Sequence, residues 1–220
     1  MADFARLREA MVDRQIAARG VRTPAVLDAM RSVPREAFVP EAMREFAYDD
    51  APLPIGARQT ISQPYIVALM IDSLNLTGQE TALDIGTGSG YAAAVLSLIV
   101  RDVYSIERIE SLADTARDTL RALGYDNVQV IHGDGSKGWP AGAPYDAIVA
   151  AAAGPEVPES LKEQLKIGGR LVMPVGSDTG AQRLVRVTRL SERDYDVQNL
   201  TGVRFVPLLG EEGWQSPATH

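Results

Sequence analysis

The chain has no cysteine among its 220 residues, which excludes disulfides, thiolate nucleophiles, iron–sulfur clusters and thiolate zinc sites. Histidine is almost as scarce. Only His132 and His220 occur, and two imidazoles so far apart in the chain supply no metal cluster, so no metal is expected. Long apolar runs are missing as well: no uncharged stretch reaches the roughly 18 residues of a membrane helix. The start, MADFARLREAMVDRQ, mixes both signs of charge, unlike a signal peptide. The protein therefore reads as cytoplasmic, with no membrane partner. Positive charge is in deficit, with Lys+Arg 22 against Asp+Glu 29 and a net charge of −7. A chain this acidic repels phosphate backbones, so no nucleic-acid partner is expected. The hydrophobic share of 45% and charged share of 23% describe an ordinary globular chain and exclude disorder, collagen and coiled coil.

Within that frame the first part reads helical, with Phe4, Leu7, Met11, Val12 and Ile16 at helical spacing and Gly20 as a stop. Thr23-Pro24 predicts an N-cap and first-turn proline, and Pro40 a further helix start. Between Asp49 and Gln63, Pro52, Pro54 and Gly56 forbid a regular helix and predict an extended, ordered connection. Helix returns at Pro64. From Thr81 onward strands and helices alternate, the pattern of a parallel α/β sheet. Strands are expected at Thr81–Ile85, Val103–Glu107, Val128–His132, Ala147–Ala151 and Arg170–Val175, with helices at Tyr91–Val100, Ile109–Leu123 and Pro158–Leu165. Arg183–Leu190 and Val203–Leu208 are expected as C-terminal antiparallel edge strands. The division is a helical N-terminal extension, 1–77, carrying the loop 49–63; a core, 78–180; and strands completing the sheet, 181–220.

The chemistry concentrates in Leu83-Asp84-Ile85-Gly86-Thr87-Gly88-Ser89-Gly90-Tyr91, a buried strand entering a glycine loop that opens a helix. Its glycines fall as G-x-G-x-G, and Tyr91 stands where the third glycine of the dinucleotide fingerprint belongs, which argues against NAD. Glu107 follows Gly86 by 21 positions, close to the ~20 expected of an acid that accepts ribose hydroxyls. With Asp134 after the next strand, three carboxylates end successive strands, where open α/β sheets place ligands. A cofactor with a cationic end and two ribose hydroxyls suits such a pocket. These residues resemble the Rossmann-like class I methyltransferases, which use S-adenosyl-L-methionine and release S-adenosyl-L-homocysteine. The resemblance implies a mostly parallel twisted sheet with helices on both faces. It places Asp84, Gly86 and Gly88 beside the methionine part, Glu107 with its neighbour Arg108 at the ribose, and Asp134 with Gly135 near the adenine.

The Asn/Asp-Pro-Pro-aromatic motif of amine methylation is absent, since that place reads Val149-Ala150-Ala151-Ala152-Ala153-Gly154-Pro155. A carboxylate acceptor, with a pKa near ~4, is already anionic at neutral pH and needs no general base. Pro54-Ile55-Gly56-Ala57-Arg58-Gln59-Thr60-Ile61-Ser62-Gln63-Pro64-Tyr65 is similar to the signature loop of the protein-L-isoaspartate O-methyltransferase family. Val33-Pro34-Arg35-Glu36-Ala37-Phe38, Gly133-Asp134-Gly135, Gly168-Gly169-Arg170-Leu171-Val172-Met173-Pro174 and Val203-Arg204-Phe205-Val206-Pro207-Leu208 resemble it in order. The resemblance implies methylation of isoaspartyl proteins and peptides by a monomer. Ser62 would orient the acceptor carboxylate, and Thr60, Ile61 and Val206 would line the peptide groove. Ser62 could instead cap the helix that begins at Pro64. Arg58 departs from the glycine more usual in that family and is expected to attract acidic acceptors, while the tail 210–214 is shorter and more acidic than in some relatives. Arg183, Arg186, Arg189 and Arg193 read as a solvated strand edge, and His132, Trp139 and Trp214 as packing residues. Two other readings stay open: a related enzyme acting on tRNA adenine, and a non-catalytic adenosyl-binding module.

Overall fold

The apolar spacing of the first residues does produce a helix, but not a uniform one. A computed structural model, describing residues 3–177 and 180–215, shows α1 (Phe4–Met11) widening into a π segment at Val12–Ile16 and tightening at Ala17–Arg19. It stops at Gly20, φ 101°. Met11, Val12 and Ile16 are buried, whereas Leu7 stays exposed. His220 lies outside the described residues. Pro24 opens α2 (Pro24–Ser32) in the first turn, where its missing N–H costs nothing. Thr23 holds the cap position through its carbonyl, and its hydroxyl makes no cap bond. The start at Pro40 yields a 3-10 helix, Glu41–Phe46.

The stretch expected as an extended connection is a hairpin, β1 (Leu53–Gly56) and β2 (Gln59–Ile61), pairing Leu53 with Ile61. Its two turn residues, Ala57 and Arg58, both have positive φ, at 48° and 57°. Paired left-handed residues give the turn whose twist suits a two-residue hairpin, although side chains at such positions are strained. Then α3 (Pro64–Asp72) leads into the sheet.

The main sheet has seven strands: β3 (Thr81–Ile85), β4 (Asp102–Glu107), β5 (Val128–His132), β6 (Tyr145–Ala150), β7 (Leu165–Gly176), β8 (Gln182–Arg189) and β9 (Tyr195–Val203). Their order is β5-β4-β3-β6-β7-β8-β9, parallel through β7 and antiparallel beyond. Helices α4 (Tyr91–Ser97), α5 (Glu110–Ala122) and α6 (Glu159–Glu163) connect the parallel strands. Alternate residues of one strand enter two cores: Ala147 and Val149 pack with the N-terminal helices and α4, Ile148 and Ala150 with Leu161 of α6. This alternation within near-continuous apolar strands marks a sheet covered on both faces.

Two sequence expectations fail at the C-terminal end. The final strand is Tyr195–Val203, and Val203–Leu208 instead crosses the strand ends, tied by Ala153 N to Val206 O and Leu208 N to Ala153 O, each at 2.8 Å. Its Val206, Pro207 and Leu208 line a cavity rather than a sheet face. The arginines of β8 do not lie on the edge strand, which is β9. Arg189 Nη1 donates to Glu163 O at 2.7 Å and Leu165 O at 2.6 Å, and Arg186 Nη1 to Ser73 O at 3.2 Å. They satisfy carbonyls left open at helix C-termini.

Candidate active site

The carboxyl ends of β3 and β4, the β1–β2 hairpin and residues 206–209 surround one cavity of about 1040 Å³, counting its open mouth. Parallel register builds its floor. Asp84 and Ser105 each stand fourth in their strands and are direct partners, so the Ser105 hydroxyl reaches Asp84 Oδ2 at 2.6 Å. Having given its one proton to Asp84, Ser105 can only accept from Thr87, whose Oγ1 lies 2.6 Å away. Asp84 is fully buried, and its Oδ1 has no hydrogen-bond partner among the described residues. Burial pushes the Asp84 carboxyl up to about 6, with Ser105 opposing that rise and the charge of Glu107 adding to it. A buried acceptor without a donor is costly and marks a place for a ligand group that donates.

Glu107, also buried, fixes the glycine loop: its Oε2 accepts from Gly88 N at 2.8 Å and its Oε1 from Ile109 N at 2.9 Å. Each oxygen keeps a second lone pair for a ribose hydroxyl. Gly86, Gly88 and Gly90 all take positive φ. At Gly88 the need is also steric, because a Cβ would stand 3.2 Å from Cδ1 of Ile55 on the hairpin. Glycine there lets the hairpin close onto the loop.

The hairpin side of the cavity is held from below by Arg35, which is wholly buried. Its Nε donates to Ala47 O at 2.7 Å, its Nη2 to Ser62 O at 2.8 Å, and its guanidinium lies over the Tyr91 ring at 4.8 Å. One rigid fork thus ties the Ser62 backbone to the helix behind the glycine loop. Ser62 is not the cap of α3: Gln63 holds that position without a side-chain cap bond.

Among the residues expected from the sequence, Ser62, Thr60, Ile61 and Val206 line the cavity on the side of the hairpin and segment 206–209. Asp84, Gly86, Gly88, Glu107, Arg108 and Gly135 line it on the other. Asp134 does not. Its Oδ1 accepts from Ser136 N at 2.9 Å and Ser136 Oγ at 2.7 Å, and its Oδ2 from Glu211 N at 2.8 Å. Partial burial pushes this carboxyl upward, but the donors of Glu211 and Ser136 outweigh it and hold the group below its ordinary range. Sequence reading missed Ser105, Thr87 and Arg35 as supports. A serine inside the apolar strand β4, level with Asp84, was the available signal for the first. His132 Nε2 lies 3.2 Å from Arg108 O, and Trp214 Nε1 donates to Ala153 O at 3.1 Å, both structural contacts. Among the described residues no cluster of three or more His, Asp or Glu forms a metal site, and no helix is long and apolar enough to cross a membrane.

The donor set fits S-adenosyl-L-methionine: an unpartnered anionic oxygen for the cationic methionine end, and Glu107 for two ribose hydroxyls beside a loop open to close approach. The profile of the family described as protein-L-isoaspartate(D-aspartate) O-methyltransferase matches residues 6–213. The chain is 66% identical over 215 residues to protein-L-isoaspartate O-methyltransferase 1 of Rhodopseudomonas palustris, covering 98% of this chain and 88% of that one. It is 60% identical over 207 residues to protein-L-isoaspartate O-methyltransferase 2 of Pelobacter propionicus, covering 94% and 92%. Among solved structures, a protein-L-isoaspartate O-methyltransferase superposes with TM-score 0.83 at 29% identity, covering 94% of this chain and 67% of that one. A Plasmodium falciparum protein described as a putative member, in complex with S-adenosyl-L-homocysteine, gives 0.79 at 25%, covering 92% and 98%. With its fold and nearly its whole length matched, this chain belongs to the protein-L-isoaspartate(D-aspartate) O-methyltransferase family.

Proposed function

We infer that the protein is a repair methyltransferase that esterifies the α-carboxylate of L-isoaspartyl residues in damaged proteins and peptides. The observation carrying this reading is that Thr60-Ile61-Ser62 and the buried, half-unpartnered Asp84 share one cavity. When bound, S-adenosyl-L-methionine supplies an electrophilic methyl group on a sulfonium. Asp84 would hold its cationic methionine end, Glu107 its ribose, and the small side chains of Ala151 and Ala152 leave room beside it.

The acceptor carboxylate is ionised at neutral pH, so the protein has no proton to remove. What remains is alignment and exclusion of water. The Ser62 hydroxyl would donate to one carboxylate oxygen and leave the other aimed at the methyl carbon. Thr60, Ile61 and Val206 would seat the peptide on either side. The ester then closes spontaneously to a succinimide, which can reopen to normal aspartate. Along the chain, residues 1–77 would supply the acceptor cap, 78–180 the cofactor core, and 181–220 the last strands and the far wall of the groove.

The test pairs tritiated cofactor with an isoaspartyl peptide and its aspartyl twin. Base-labile label on the first alone is the expected result. Label on tRNA would replace this reading with adenine methylation, and cofactor binding without transfer would replace it with a binding module.

A further inference from the structure

The sequence contains no Asn-Gly and a single Asp-Gly, Asp134-Gly135, and that one borders the cofactor cavity. Aspartate followed by glycine is the pairing most open to isomerisation, because no Cβ shields the glycine nitrogen. The Gly135 nitrogen bonds to Cγ of the neutral Asp134 carboxyl, the Cγ–OH bond breaks, and hydroxyl and amide proton leave as water. Water then opens the succinimide at the Asp134 α-carbonyl. The chain afterwards runs through the side-chain carbonyl and carries a free α-carboxylate, an isoaspartyl residue.

Neither residue is free to change. A Cβ on Gly135 would stand 2.6 Å from Cγ2 of Ile85 beneath it, so packing demands glycine. Asp134 anchors the tail: Gly210 packs directly on its carboxylate, where a Cβ would meet Oδ1 at 2.1 Å. Glu211 N donates to Oδ2 at 2.8 Å, and Glu212 N donates to Ser136 Oγ at 3.0 Å. Lys137 pairs with Glu211 at 2.8 Å over the same spot.

We propose that Asp134-Gly135 is this enzyme's own isomerisation site, and that Ser136 and the strap 210–212 hold it in an unreactive conformation. Three donors, Ser136 N, Ser136 Oγ and Glu211 N, occupy both carboxylate oxygens and fix the carboxyl in one orientation. They also favour the ionised form, which lacks the leaving hydroxyl. Isomerisation would lengthen the backbone by one methylene, displace the carboxylate and free the strap that continues from Val206–Leu209 in the cavity wall. The inference stands whichever acceptor the enzyme methylates.

The purified full chain is incubated at neutral pH and physiological temperature, and isoaspartate at 134 is followed by peptide mapping. Ser136→Ala, Gly210→Ala and a synthetic peptide spanning Val128–Pro140 are run beside it, with Asp72-Ser73 as internal reference. Ser136→Ala removes one donor, and Gly210→Ala pushes aside the strap that carries the Glu211 N donor; either loss raises the open, reactive population about fivefold to tenfold, so both variants should accumulate isoaspartate at 134 faster by that factor. The reference site should not change, and the free peptide should react fastest. Equal rates in folded chain and peptide would overturn the proposal. So would variants matching the parent at 134, or a rise at all aspartates together, which would report general unfolding.

Discussion

The two walls of the cavity are built on opposite principles. The cofactor wall is local: β3, its glycine loop and the end of β4 follow within about one βαβ unit, register brings Asp84 to Ser105, and the loop's Gly88 N–H reaches Glu107 at the end of the adjacent strand. Its electrostatics are concentrated in two buried carboxylates, Asp84 and Glu107. The opposite wall is assembled from hairpin 53–61, Arg35 and segment 206–209, which are remote in sequence and joined by a few hydrogen bonds to carbonyls. The difference separates a preformed binding site from a positioning device. Damage to the first should appear in cofactor affinity, and damage to the second in turnover and acceptor KM.

The largest effect is expected at Asp84. Removing the anion opposite a cationic ligand should weaken cofactor binding about a hundredfold in Asp84→Asn, measured by calorimetry. In the parent, affinity should fall as pH drops through about 6, by at most about tenfold per pH unit, as Asp84 takes up a proton. The variant should lose that dependence. Stability should run the other way. Because the folded carboxyl sits at about 6 and the ordinary value is 3.8, ionised Asp84 destabilises the cofactor-free fold above the upper value. That penalty is relieved as pH falls between the two. Asp84→Asn should therefore stabilise the cofactor-free enzyme at neutral pH by up to about 3 kcal/mol, read from denaturant melts.

Ser62→Ala tests the other wall. Loss of a hydrogen bond to a charged acceptor should lower kcat about thirtyfold with cofactor affinity intact. Equal loss of both would erase the distinction between the walls. Arg35→Lys keeps the charge but not the fork that reaches Ala47 and Ser62 together. Turnover should fall about tenfold, again without a matching loss of cofactor affinity. The smallest effect belongs to Arg58→Gly. Glycine relieves the positive φ of 57°, which should stabilise the hairpin by about 1 kcal/mol. If the guanidinium attracts acidic acceptors, peptide KM should rise about threefold and lose its salt dependence. An unchanged KM would limit Arg58 to a turn residue.

Much of this was legible beforehand because it depends on local patterns. The alternation after Thr81, the G-x-G-x-G loop and the acid at the end of β4 each follow from spacing within one unit. The misplaced last strand shows where such reading stops. Val206, Pro207 and Leu208 are apolar because they face a cavity, whereas β9, with Asp196, Gln198 and Asn199, is polar because it is an edge. Apolarity reports burial, not which surface does the burying. Asp134 makes the same point. Its position at a strand end was readable, but its carboxylate is taken by Glu211, a residue 77 positions away.

By itself the sequence determined the parallel core, the glycine loop, the acids ending the strands and the family, since these rest on periodicity, backbone sterics and contiguous motifs. Only the tertiary structure decided which carboxylates line the cavity and which is tied to the tail. It also decided that a buried arginine orients Ser62 and that segment 206–209 forms a wall rather than a strand. Those outcomes depend on competition among distant donors for a few buried acceptors, and chain order does not encode who wins.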